Sequence, residues 1–199
     1  MLCTKSNTRF PLLVLAAALN VVVLAMPCER AAAENLGSGP LLVGGFSGDE
    51  DASGNDDALG FVGLGWRWRR DGADFLDNFF EKGHIDFSWT IEPMVAAVVG
   101  NEDTVEVSLV PFARFQPLGW DNFSPYFEGG IGLIYTGLDG YGLGSHVQFS
   151  DNAGIGLAFG GENSLHWTIG YRFRHISNAG IWGDGNQGLN AHFLVLAIE

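Results

Sequence analysis

Between Leu165 and Arg174 the chain alternates without a break. Leu165, Trp167, Ile169, Tyr171 and Phe173 share one parity, and His166, Thr168, Gly170, Arg172 and Arg174 share the other. A period of two marks an extended strand, whose successive side chains point to opposite faces. An apolar, aromatic face backed by arginines does not suit an ordinary soluble sheet. It suits a strand of a membrane barrel, with lipid on one side and a polar interior on the other. Two more steps along the apolar parity reach His175 and Ser177. A histidine and a hydroxyl two residues apart in a strand are same-face neighbours. Here they stand where lipid-facing apolar side chains belong, which makes them candidate functional residues.

Seven further segments carry strand signals, separated by turn chemistry. They are Leu41 to Phe46, Ala58 to Arg69, His84 to Val98, Thr104 to Gln116, Pro125 to Gly137, His146 to Phe159 and Leu189 to Ile198. The expected fold is all-β: an eight-stranded antiparallel outer-membrane β-barrel after an N-terminal signal peptide. Eight is the smallest even strand number common in such barrels. One parity collects Arg67, Arg69, Arg114, Arg172 and Arg174 with Asp86, Glu92, Glu106 and Glu128. Both signs together can fill an interior without an open pore. The opposite polarity, a soluble lipocalin-like barrel, would crowd Trp66 and Trp68 into a narrow interior. Three local irregularities are expected. Asp151 breaks the apolar parity of its strand and predicts a bulge or register shift there. Pro111 removes a ladder donor. The connection from Asp71 to Gly83 suggests a helical turn around Phe75 to Phe80. His166 is read as interior packing together with Arg172, and His192 as an outward headgroup contact.

The N-terminus reads as an export signal. Lys5 and Arg9 precede an apolar run from Phe10 to Met26, and Ala31, Ala32 and Ala33 offer a small-residue cleavage site. The expected division is therefore a leader over 1–33 and a barrel over 34–199. Cleavage after Ala33 would remove both cysteines, Cys3 and Cys28, and thiol chemistry with them. The formal net charge of −13 argues against a general nucleic-acid binder. Twenty-nine glycines and fifteen phenylalanines fit a small barrel, where glycine relieves crowding and aromatics line the interfaces. No Walker loop, GxSxG or Cys/His metal spacing occurs. Asp49, Asp51, Asn55 and Asp57 approach a calcium-loop spacing but lack its closing glutamate, so no metal is assigned.

His175, Ser177, Asn178 and Ala179 form H-x-S-N-A on the penultimate strand. This resembles the lipid A 3-O-deacylase family (PagL-type), most strongly from Gly170 to Phe193. The likeness extends more loosely over Ser124 to Phe159 through FEGGIGLIYT and QFSDNAGIGLAF. The resemblance implies an outer-membrane hydrolase with a Ser-His-acid triad on the lipid-facing surface, near the extracellular end. Such an enzyme removes the ester-linked acyl chain at the 3 position of lipid A. On this chain the nucleophile falls on Ser177 and its general base on His175. Asn186, Gly180 and Asn178 become oxyanion candidates. The triad acid, a glutamate in the family, falls on Asn190, an asparagine. The chain also ends Ala197, Ile198, Glu199, without the terminal aromatic usual in outer-membrane barrels.

An asparagine can accept the imidazole N–H and hold its tautomer, but it cannot stabilise an imidazolium as a carboxylate does. The alternative function is accordingly a non-catalytic small outer-membrane barrel, structural or interaction-bearing, derived from such an enzyme. The implied partners are lipid A, as lipopolysaccharide, and the membrane. Neither nucleic acid nor cofactor is expected, and a homodimer is left open.

Overall fold

The computed structural model describes residues 35–47, 58–72, 83–100, 103–120, 122–138, 141–160, 165–181 and 187–199, less the side chains of 35, 36 and 71. The expected leader over 1–33, the acidic loop over 48–57, the helical turn at Phe75 to Phe80 and Asn186 lie outside them. Eight strands follow in order: β1 (Asn35–Ser47), β2 (Gly60–Asp71), β3 (Ile85–Val99), β4 (Thr104–Pro117), β5 (Phe123–Thr136), β6 (Val147–Phe159), β7 (Trp167–Ser177) and β8 (Leu189–Ile198). Each pairs antiparallel with its sequence neighbours, and β8 pairs back onto β1 from Leu41↔Ala197 to Ser47↔Ala191. The sheet is a closed barrel, so no edge is left unpaired.

The strand parities decide which way the barrel faces. Arg67, Glu106 and Arg114 are fully buried, whereas Val62, Leu64 and Ile131 are each at least 60% exposed. The charges are inside and the apolar side chains outside, the reverse of a lipocalin. This is the polarity of a barrel that spans the outer membrane. Among the described residues no helix is long and apolar enough to cross a membrane; the strands do so instead.

The interior is filled by an ion lattice. Arg172 bridges Glu92 at 2.8 Å and Glu128 at 2.5 Å, Arg67 meets Glu92 at 2.6 Å, and Arg114 meets Glu128 at 2.9 Å. Arg174 pairs with Glu106. Glu199 turns its side chain inward to Arg67 at 2.9 Å and Arg114 at 3.1 Å. Each buried charge thus has opposite partners, the condition under which buried ions are tolerated. Glycine makes room where rings fill the bore. A Cβ at Gly170 would lie 2.3 Å from the Tyr126 hydroxyl. Toward the end holding His175 and Ser177 the filling turns apolar, with Leu59, Phe61, Val98, Ile134, Leu138, Tyr141, Leu143, Ile176 and Leu189 in one cluster.

Several local expectations change. β1 starts at Asn35, ahead of its apolar run, because Gly37 to Gly39 offer no hydropathy signal although they pair with β2. Asp151 causes no bulge: β6 keeps one register against β5 from Phe123↔Phe159 to Tyr135↔Val147, and against β7 throughout. The polar residue changes the chemistry of the outer face and leaves the ladder intact. Pro111 leaves only a local gap. Pairing to β5 stops at Leu109↔Leu133 and resumes at Phe112↔Gly130 in the same register. His166 is exposed beside the start of β7, where its carbonyl accepts the Glu199 N–H at 2.8 Å, rather than packed inside.

Candidate active site

β7 carries Tyr171, Phe173, His175 and Ser177 outward, and the next strand, β8, pairs antiparallel alongside it. The register sets His175 opposite Asn190 and Phe173 opposite His192. Directly opposed residues share a face, so Asn190 lies beside His175 on the lipid side. Their side chains meet: His175 Nδ1 lies 2.8 Å from Asn190 Oδ1. A carbonyl oxygen only accepts, so Nδ1 must carry the proton in this contact. The neutral ring then keeps its lone pair on Nε2. That is the tautomer a general base for a neighbouring hydroxyl requires. His175, Ser177 and Asn190 are all half-buried on the outer surface.

Gly188 fixes where the ring lies, and sequence reasoning missed it. Its φ is +75°, in the left-handed region that glycine enters without strain. A Cβ there would come within 2.5 Å of His175 Cε1 and 3.0 Å of Nε2. The imidazole therefore packs over a bare backbone. A glycine directly before the Leu189 strand was the available signal.

Beyond Ser177 the chain turns sharply. Ile181 N–H donates to the Asn178 carbonyl at 3.0 Å, and Ala179 and Gly180 have φ of +52° and +70°. Two successive left-handed residues make a type I′ turn. For alanine that conformation costs about 1 kcal/mol. The Asn178 side chain is fully buried. Its Nδ2 donates to the Leu143 carbonyl at 2.9 Å, and its Oδ1 accepts the Gly180 N–H at 2.7 Å. Gln148 Nε2 donates to the same Leu143 carbonyl, and Gln187 N–H to the Gly142 carbonyl. The 141–148 segment thus clamps the turn behind the serine. In this arrangement Asn178 faces inward and the Gly180 amide is engaged by it, so neither donor points at the outer face. Asn186, the third oxyanion candidate, lies outside the described residues.

His192, one step along β8, accepts or donates at Nδ1 to the Tyr171 hydroxyl at 2.6 Å. Phe46, Tyr171 and Phe173 surround its ring, with centroids 5.4, 6.0 and 5.6 Å away. Among the described residues no cluster of three or more His, Cys, Asp or Glu could hold a metal ion.

The comparisons with known proteins agree with this fold. A family model described as "Lipid A 3-O-deacylase (PagL)" matches residues 60–199. Over 146 residues the chain is 27% identical to the lipid A deacylase PagL of Pseudomonas aeruginosa, covering 69% of this chain and 75% of that protein. The fold is similar to the crystal structure of the outer membrane enzyme PagL, with a TM-score of 0.60 and 23% identity, over 82% of this chain and 99% of that one. It is also similar to Neisserial surface protein A, with a TM-score of 0.51 and 10% identity, over 81% and 92% of the two chains. At those identities the two structures speak for the fold; the family model spans β2 to β8 and the whole candidate site. The chain belongs to the lipid A 3-O-deacylase (PagL) family.

Proposed function

We propose that this protein hydrolyses the 3-position ester-linked acyl chain of lipid A through Ser177 as nucleophile and His175 as general base. The observation that carries this reading is the 2.8 Å contact from His175 Nδ1 to Asn190 Oδ1, with Ser177 one step along the same outward face. An ester held in a membrane leaflet is reachable from the outside of a barrel and not from a filled bore. In the reaction Ser177 Oγ adds to the ester carbonyl while its proton passes to His175 Nε2. Collapse expels the sugar oxygen, which takes that proton, and leaves an acyl-serine. Water activated by the same histidine then releases the fatty acid. Asn190 holds the imidazole in its productive tautomer.

The developing oxyanion needs donors. The Gly180 amide can serve only by exchanging Asn178 Oδ1 for the substrate's oxygen, and Asn178 itself only by leaving the Leu143 carbonyl and turning outward; Asn186 remains the other candidate. The mature enzyme is the barrel over 34–199, exported by a leader over 1–33, with the site near the extracellular end.

The test is mass spectrometry of lipid A from cells making the native protein, Ser177→Ala or His175→Asn. The native protein should release the acyl chain, and either variant should abolish release while still migrating as a folded, heat-modifiable barrel. The double variant should lose no more than the singles, because the two groups act as a unit. Full activity of purified Ser177→Ala would remove the nucleophile assignment. A native protein no better than that variant would favour the non-catalytic barrel.

A further inference from the structure

Asp151 is out of place on the outer surface. β6 presents Val147, Phe149, Asp151, Ala153, Ile155 and Leu157 outward, and only one of these is charged. Asp151 keeps strict register, so its direction is no accident of a bulge. It is half-buried, and among the described residues it has no ion-pair partner. An ionisable side chain on a lipid-facing surface carries a cost, which points to a use.

The register supplies the use. The β7 partner of Asp151 is His175, and the β8 partner of His175 is Asn190. Three side chains therefore stand abreast on one face: a carboxylate, an imidazole and an amide. Directly opposed residues on antiparallel strands hold their Cβ atoms about 4.5–5.5 Å apart. Asn190 meets the ring by hydrogen bond but is neutral. Arg174, the charged residue next to His175 on β7, faces the interior and is bound to Glu106. Of the other groups near the ring, Gly188 has no side chain and His192 is a further step along β8. Asp151 is thus the carboxylate that the described structure places beside His175.

Resting on the hydrolytic reading above, we propose that Asp151 is a positioning residue for this site. From β6 it supplies the negative charge beside the imidazolium that Asn190 does not supply from β8. When Ser177 Oγ adds to the ester, one proton moves to His175 Nε2, making the ring cationic as the carbonyl oxygen becomes anionic. Asp151 compensates that cation without taking the proton. In surroundings of low dielectric, a neighbouring charge acts over a few ångströms without direct contact. The work that one carboxylate does in a Ser-His-acid triad is here divided between strands on either side of the histidine. The amide sets the tautomer and the carboxylate balances the charge.

A rival role is visible. Asp151 also lines a shallow outward groove with Trp89, Pro111, Gly129 and Ile131, where it would touch substrate instead. Turnover of lipid A in detergent separates the two, using native protein, Asp151→Asn, Asp151→Glu, Asn190→Glu and the double variant Asp151→Asn/Asn190→Glu, with Ser177→Ala as blank. Heat-modifiability checks that each barrel is folded. Asp151→Asn should lower kcat about 10- to 100-fold with KM within about twofold, because the charge acts on the transition state. Asp151→Glu should recover most of the loss. With a carboxylate already present at 190, Asp151→Asn should cost about threefold or less, a strong non-additivity.

Three results overturn the proposal: unchanged kcat in Asp151→Asn, a loss confined to KM, or an equal loss in both backgrounds. If the native protein only matches the blank, the deacylase reading fails. Asp151 is then judged by how fast a fluorophosphonate labels Ser177, a reaction that also passes the serine proton to His175. Slower labelling in Asp151→Asn upholds the charge role; equal labelling, or none in the native protein, removes it.

Discussion

Replacing Asn190 tests the contact on which the catalytic reading stands. In the native site Asn190 Oδ1 accepts the His175 Nδ1 proton at 2.8 Å. A neutral hydrogen bond of this kind is worth about 1 kcal/mol net, and one between a charged donor and a carboxylate about twice that. Aspartate is isosteric with asparagine, so Asn190→Asp keeps the oxygen in place and adds only charge. The added stabilisation of the imidazolium, about 1 kcal/mol, should raise kcat about fivefold. Asn190→Glu, carrying the family's acid, should raise activity as well. Asn190→Ala deletes the bond without forcing the wrong tautomer. It should therefore cost about five- to tenfold, well short of the roughly four orders of magnitude seen where a triad amide imposes the wrong tautomer. The assay is turnover of purified lipid A in detergent with Ser177→Ala as blank. Native activity in Asn190→Ala would mean that the 2.8 Å contact has no part in the chemistry. An Asn190→Asp no faster than native would mean that no charge is needed on the β8 side.

Gly188→Ala should cut turnover at least tenfold while the barrel stays folded, since the added Cβ meets the imidazole at 2.5–3.0 Å and the backbone is held at φ +75°; full activity would show that the ring does not react from this position. Glu199→Ala removes the carboxylate shared by Arg67, Arg69 and Arg114, each of which keeps at least one other acidic partner. The expected loss is about 2 kcal/mol, read as a lower urea midpoint in detergent, with activity retained in folded protein. The proposed leader over 1–33 predicts that intact-mass analysis of the outer-membrane form gives a chain beginning near Glu34, and retention of Met1 would count against the export reading.

Strand number and facing were legible because a barrel wall is the simplest pattern a sequence can write. Each residue answers to one face, and the faces here differ as sharply as Arg172 and Tyr171. The position of His175 and Ser177 on the outer face followed from the same counting. Pairing across strands was harder. That Asn190 stands beside His175 depends on one register between β7 and β8, to which both strands contribute along their length. Gly188 was missed for a different reason: its place before the strand was visible, but its role is the absence of an atom where an imidazole needs room. Asp151 was visible and misread. A polar residue in an apolar parity suggests a slip of the ladder when the strand is considered alone. Its use appears only when β7 is laid next to it.

The barrel keeps its two sets of charges apart, and this allows chemistry on the outer wall. Inside, every arginine of the lattice is held by carboxylates, so each interior cation has its counter-charge. Arg174 illustrates the separation. It neighbours His175 in sequence, yet pairing with Glu106 on the opposite face takes its charge away from the site. The imidazole is thus left to the few groups the outer face presents: a hydroxyl along β7, an amide on β8 and a carboxylate on β6. Because neighbouring strands point these side chains the same way, exchanging which of them carries the negative charge requires no change in the fold. On the proposed reading, a site built across three strands of a closed sheet carries an amide on one side of the histidine and a carboxylate on the other. The Asp151 and Asn190 variants measure how the two share that work.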